Sequence, residues 1–205
     1  VAEWKLADEP PERREDLIVR GWMGLESQPG FAQRAQMVVD VALRAGPVRS
    51  VTDLGCGDGS LLARLQDALA PAHIPMWGYD LGAGDLAHGR AHGLDVRFAD
   101  ILADELEYGE LVIASEVAEH LADPEGFLRR LPGRLLIVSS PSAETGDWHN
   151  PIHAWAWDLD GYAALVRRAG WTVTWHVECD GGMNGFGGVP GQQRFQAILA
   201  VRGAE

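Results

Sequence analysis

Two periods alternate along the chain. From residue 9 to 45 apolar residues recur at helical spacing in "PPERREDLIVRGWMGL" and "PGFAQRAQMVVDVALRAG", broken at Pro29-Gly30 and stopped at Gly46-Pro47. Beyond that stop, short apolar runs predict strands at "VTDL", "PMWGYD", "DVRFAD", "ELVIAS" and "RLLIVSS". Helical patterns follow in "SLLARLQDALA", "GDLAHGRAHG", "DPEGFLRRL" and "LDGYAALVRRAG". Alternation of this kind predicts a parallel sheet with helices on both faces, because a parallel connection needs a crossover. The end of the chain breaks the pattern. "WTVTWHVEC" and "RFQAILAVR" are joined by the glycine-rich "DGGMNGFGGVPGQQ", with no room for a crossover helix, so an antiparallel hairpin is expected.

The fold expected from this pattern is α/β: a Rossmann-like, seven-stranded, mostly parallel sheet with its last strand antiparallel and helices on both faces. Residues 1–46 are expected to form an N-terminal helical cap or lid, and residues 47–205 one nucleotide-binding-type domain. The 205 residues suffice for a single compact core. No apolar run reaches the roughly 20 residues of a membrane span, and the charged, proline-rich start is unlike a secretory signal. Cys56 and Cys179 lack metal-type spacing and are expected to be free thiols of a cytoplasmic protein. A formal net charge of −13 opposes extended contact with nucleic-acid phosphates or anionic lipid. Arg129, Arg130, Arg134, Arg167 and Arg168 accordingly read as solvated helix faces.

"VTDLGCGDGS" places Gly55, Gly57 and Gly59 between a strand and a helix, where glycine lets the backbone turn tightly and approach a ligand. Asp80 ends the next strand, at the distance where an acid accepts hydrogen bonds from ribose hydroxyls, and Asp100 ends the one after. A third glycine or alanine, which a dinucleotide fingerprint needs, is replaced by Ser60. With "DLGCGDG", Asp80, "AD" at Ala99-Asp100, "SEVAEHLADPEGFL" and "LVRRAGW", the chain resembles the class I S-adenosylmethionine-dependent methyltransferases from about residue 30 onward. The resemblance implies S-adenosyl-L-methionine as cofactor, with Asp53, Gly55, Cys56, Gly57, Gly59, Asp80, Leu81, Asp100, Ile101 and Ser115 around it. A dehydrogenase is the distant alternative, which the terminal hairpin disfavours.

"SEVAEH" ends the fourth predicted strand at the crevice. If a helix starts at Glu116, then Glu116, Glu119 and His120 share one of its faces. Two carboxylates and an imidazole there suit a divalent cation such as Mg²⁺, Mn²⁺ or Zn²⁺, or a general base. His153 in "HNPIHAWAW" opens toward the same edge, and His149 could substitute for it. Acids at a helix start are also favoured by the helix dipole alone, which leaves a plain structural role open. The segment resembles ubiquinone-pathway O-methyltransferases in its E-x-x-E-H-x-x-D-P pattern. It also resembles small-RNA 3′-terminal ribose 2′-O-methyltransferases, a likeness that implies Glu116, Glu119, His120 and His153 as metal ligands. Ser142, Ile152 and Ala156 depart from the RNA pattern.

Methylation of an oxygen on a small hydroxylated molecule is therefore expected, with His120, His153 or Glu116 as catalytic groups. RNA ribose methylation and a silent cofactor-binding protein are the alternatives. Of the eight tryptophans, Trp148, Trp155 and Trp157 could wall an acceptor pocket or simply pack in the core.

Overall fold

The computed structural model describes residues 1–7, 29–147, 149–150, 152–180 and 194–203. The predicted helix over 10–25, Trp148 and most of the glycine-rich loop lie outside the described residues. Strands β2 (Val51–Leu54), β3 (Met76–Asp80), β4 (Val96–Phe98), β5 (Leu111–Ser115), β6 (Leu135–Pro141), β8 (Thr172–Asp180) and β9 (Arg194–Val201) form one seven-stranded sheet in the order β4-β3-β2-β5-β6-β9-β8. The first five of that order pair in parallel, while β9 runs antiparallel to both β6 and β8. The expected terminal hairpin is thus present, and β9 inserts itself between β6 and the outer strand.

Strand residues of the central pair alternate between two cores, as a pleated strand buried on both faces must. Leu111, Ile113, Leu135 and Ile137 face α1 (Pro29–Arg44), α2 (Ser60–Ala68) and α3 (Ala83–Ala91), meeting Val38, Leu62 and Leu86. Val112, Ala114, Leu136 and Val138 face the opposite layer, with Phe127 and Leu128 of α4 (Pro124–Arg130) and Tyr162 and Leu165 of α5 (Leu159–Arg168). Truncating any of these leucines would cost about 2–5 kcal/mol.

Two helix starts are sealed by aspartates. Asp123 accepts a hydrogen bond from Gly126 N at 2.8 Å, and Asp158 from Gly161 N at 2.6 Å, each satisfying an amide the first turn leaves unpaired. A small second sheet escaped sequence reading. Strand β1 (Glu3–Lys5) pairs antiparallel with β7 (Trp155–Trp157), and Leu6 N donates to Ala154 O at 2.9 Å. Ala154 N in turn donates to Glu119 O at 2.7 Å, so the segment carrying His153 is tied to the segment carrying Glu119. Three-residue strands with a charged residue at each end of "EWK" give no periodic signal, which is why β1 was not legible.

Candidate active site

The glycine loop leaves β2 with Gly55, Gly57 and Gly59 all at positive φ, 74°, 54° and 80°. A β-carbon at Gly55 would also lie 2.7 Å from Val117, so both conformation and space require glycine there. Gly55 N and Cys56 N donate to Tyr79 O at 2.8 and 3.1 Å, which docks the loop on the end of β3. Asp80 completes the junction: its two oxygens accept from Gly57 N at 2.9 Å and Gly82 N at 2.7 Å. The helix after the loop starts at Gly59 without a side-chain cap of its own, and Asp58 acts one residue early, accepting from Ser60 N and Oγ. Asp53 is buried on β2 beneath the loop.

This half of the crevice therefore brings together Asp53, Gly55, Cys56, Gly57, Gly59 and Asp80, with Leu81 next in chain. Asp100 follows β4, where Ala99 N donates to Asp80 O, and its Oδ1 accepts from Leu102 N to close the turn. Ile101 packs partly buried against the core beside Ala99. The Cys56 thiol is held protonated well above its usual range by burial and by the negative charges of Asp53 and Asp80. A glycine cradle ending beside a strand-end carboxylate fits a ligand with an adenosine ribose and an amino-acid tail.

The other half begins at Ser115. The sequence expectation that Glu116, Glu119 and His120 share a helical face is not met. Glu116 has φ 56°, in the left-handed region, so the chain turns before a helical register can start, and only Ala118–His120 forms a short 3₁₀ turn. Its side chain is redirected. Glu116 Oε1 accepts from Ser139 Oγ at 2.8 Å, Ser139 Oγ lies 2.8 Å from Ser115 Oγ, and Arg34 Nη1 stands 3.9 Å from Glu116 Oε2.

Glu119, His120 and His153 converge instead, with one ligand atom from each within 4.8 Å of the others. The imidazole rings meet edge to face at 4.7 Å between centroids. His120 Nδ1 lies 3.2 Å from Ile152 O, and since a carbonyl only accepts, that nitrogen carries the proton. His153 Nδ1 lies 2.6 Å from Glu144 Oε2, whose other oxygen accepts from Asn150 N at 3.0 Å. Each ring is thus oriented as metal-binding histidines are, by an acceptor on Nδ1 that turns Nε2 toward the centre. Burial, reinforced by His153, pushes His120 down to about 3 and keeps it neutral.

Glu119 stands out among the described residues as the carboxyl with both oxygens buried and unpaired. Its side chain is 0% exposed, and neither carboxylate oxygen has a hydrogen-bond partner among the described residues. Burial and the neighbouring charge of Glu116 push its carboxyl well above the usual range. A carboxylate so placed costs several kcal/mol unless a cation joins it. A carboxylate oxygen beside two imidazoles is the donor set of a transition-type divalent ion, and these residues fit one.

Among the described residues His149 does not join the three, and its buried Nδ1 has no hydrogen-bond partner. Glu144 went unread in the sequence despite lying in "SPSAE". Its signal was an acid just past the carboxyl end of β6, between that strand and His153. Of these tryptophans, the two described are held in the packing: Trp157 is wholly buried and stacks at 6.0 Å on Trp155, whose Nε1 donates to Leu121 O.

Known proteins agree with this architecture. The family model described as "Methyltransferase domain" matches residues 31–174. A ubiquinone biosynthesis O-methyltransferase of Azorhizobium caulinodans is 35% identical over 103 residues, 44% of this chain and 39% of that protein, so the match spans well under half of the relative's length. The crystal structure of the N-methyltransferase NodS from Bradyrhizobium japonicum, in complex with S-adenosyl-L-homocysteine, superposes with a TM-score of 0.71 at 15% identity, covering 94% of this chain and all of that one. That of a small-RNA methyltransferase superposes with a TM-score of 0.63 at 22% identity, covering 85% of this chain and 25% of the other. With a matched domain that runs from α1 into β8 and carries the glycine cradle, the chain belongs to the class I S-adenosylmethionine-dependent methyltransferase family.

Proposed function

We propose that the protein transfers the methyl group of S-adenosylmethionine to a hydroxyl oxygen of a small molecule, at a centre where Glu119, His120 and His153 hold a divalent cation. The observation that carries the metal is the buried, unpartnered carboxylate of Glu119 between two imidazoles whose Nδ1 protons are already committed. Two imidazoles with one carboxylate favour Mn²⁺ or Zn²⁺ over Mg²⁺, which prefers oxygen. When bound, the ion would supply Lewis acidity that lowers the pKa of an acceptor hydroxyl. The chain's own task is alignment: Asp80 and the glycine cradle fix the donor at one end of the crevice, and the β5–β6 edge presents the acceptor at the other. Oxygen as the acceptor atom is supported by the likeness to a ubiquinone-pathway O-methyltransferase. Cytoplasmic residence is supported by two unpaired thiols.

The test has two arms. Mn²⁺ titrated into metal-free protein is expected to bind at one site and to be lost on Glu119→Gln, and turnover on a panel of catechols and other vicinal diols is expected to stop with chelator while S-adenosylhomocysteine affinity holds. Turnover that survives exhaustive chelation would make His120 or His153 a plain general base. A second reading, methylation of an RNA 3′-terminal ribose, draws on the superposition with a small-RNA methyltransferase. The net charge of −13 weighs against it. A methylated terminal nucleotide, recovered by nuclease digestion after incubation with short RNA, would establish that reading in place of the first.

A further inference from the structure

Glu116 stands apart from the three converging residues, and its surroundings explain why. Its backbone is held at φ 56°, a region costly for a residue with a β-carbon. Its carboxylate is 14% exposed and engaged on both oxygens, by Ser139 Oγ from β6 and by Arg34 from α1. Arg34 is itself fixed: its guanidinium packs over the Phe31 ring at 4.7 Å and the Phe195 ring at 5.7 Å, so α1 and β9 together aim it at Glu116. Glu116 nonetheless stays next to the centre, because its left-handed turn leads within two residues into the 3₁₀ turn Ala118–His120 that carries Glu119 and His120.

Resting on the metal reading above, we propose that α1 sets the coordination of the centre: Arg34 and Ser139 compete with the ion for the Glu116 carboxylate. With α1 docked as here, Glu119, His120 and His153 would hold the ion and leave room beside it for the acceptor. When Arg34 withdraws, Glu116 becomes a fourth ligand, tightening the ion and occupying a position the acceptor needs. Arg34 is thus a positioning residue. It acts through Glu116 and links the packing of α1 to the affinity and openness of the site.

The experiment uses the whole metal-free chain and Mn²⁺ alone, by calorimetry, with Co²⁺ absorption as a second readout because its visible bands change with coordination number. Arg34→Met keeps the apolar stem between the two rings and removes the charge. It is expected to tighten Mn²⁺ by about tenfold, the scale on which groups supporting a metal's ligands act. Ser139→Ala, a small change at a packed position, is expected to shift affinity in the same direction by less. Both gains should vanish in a Glu116→Gln background, and the Co²⁺ spectrum of Arg34→Met should change there only weakly. Equal tightening with and without Glu116 would reduce Arg34 to a distant charge and overturn the proposal, as would no tightening in either variant. Wild-type protein that binds no Mn²⁺ overturns the metal reading and this proposal together. Binding lost on Glu119→Gln but indifferent to Arg34 and Ser139 sinks this proposal alone.

Discussion

The two ends of the crevice solve opposite problems. Around the glycine loop the acids of the turn are taken up within the chain: Asp80 by Gly57 and Gly82, and Asp58 by Ser60. Around the β5–β6 edge Glu119 has no such partner among the described residues, and three acids, Glu116, Glu119 and Glu144, gather with two imidazoles and one arginine nearby. The first end is preformed and exchanges internal hydrogen bonds for ligand ones. At the second end, a buried carboxyl with no hydrogen-bond partner among the described residues is what supports the proposed cation.

The sharpest way to break this contrast is to neutralise Glu119. Glu119→Gln is expected to abolish turnover and weaken Mn²⁺ by more than about a hundredfold, as loss of one of three ligands should. The same variant is expected to hold or raise the melting temperature of metal-free protein, because an amide costs less to bury than an unpaired carboxylate. A fall in metal-free stability would mean that the carboxylate has an internal role and that the two ends do not differ as described.

Asp80→Ala probes the satisfied end. It should weaken S-adenosylhomocysteine by about 1.5–3 kcal/mol, roughly ten- to a hundredfold, the worth of hydrogen bonds from ribose hydroxyls to a charged acceptor. Mn²⁺ affinity should not move. Calorimetry with each ligand separately would show whether the two halves are independent; parallel loss of both would make the crevice one cooperative unit. A smaller effect is expected at Glu144, which touches the centre only through His153. Glu144→Gln keeps an oxygen for Nδ1 but removes the charge, and should weaken Mn²⁺ about tenfold while leaving the cofactor untouched.

What could be read from the sequence follows the same division. The sheet, its hairpin and the cofactor end were legible because their signals are local: alternation between strand and helix, glycines at fixed offsets, an acid at a strand end. The β5–β6 end depends on where three separated segments meet. Spacing alone placed Glu116 with Glu119 and His120 on a helix, but the left-handed turn at Glu116 defeats that register, and nothing in "SEVAEH" announces a positive φ at a glutamate. Glu144 and Arg34 were invisible for a related reason: each matters through one side chain on another element, His153 and Glu116. The pairing of β1 with β7 likewise joins residues 150 or more positions apart.

The smallest effect is expected in the middle of the glycine loop. Cys56 is the one reactive residue type in "GCGDG", and its sulfur sits against Gly78, where an added β-carbon would lie 2.6 Å away. Burial and the charges of Asp53 and Asp80 keep the thiol protonated, so it carries no anion to attack a sulfonium or to repel a ligand. Its contribution is packing, together with a backbone N–H that any residue supplies. Cys56→Ala should therefore change S-adenosylhomocysteine affinity by no more than about threefold, under 1 kcal/mol. It should cost about 1 kcal/mol of stability for the small void left against Gly78 and Leu62. Native thiol labelling at pH 8 should also leave Cys56 slower than a free cysteine, because only the thiolate reacts. A large affinity loss in Cys56→Ala, with labelling as fast as an exposed thiol, would show that the satisfied end holds an active group after all.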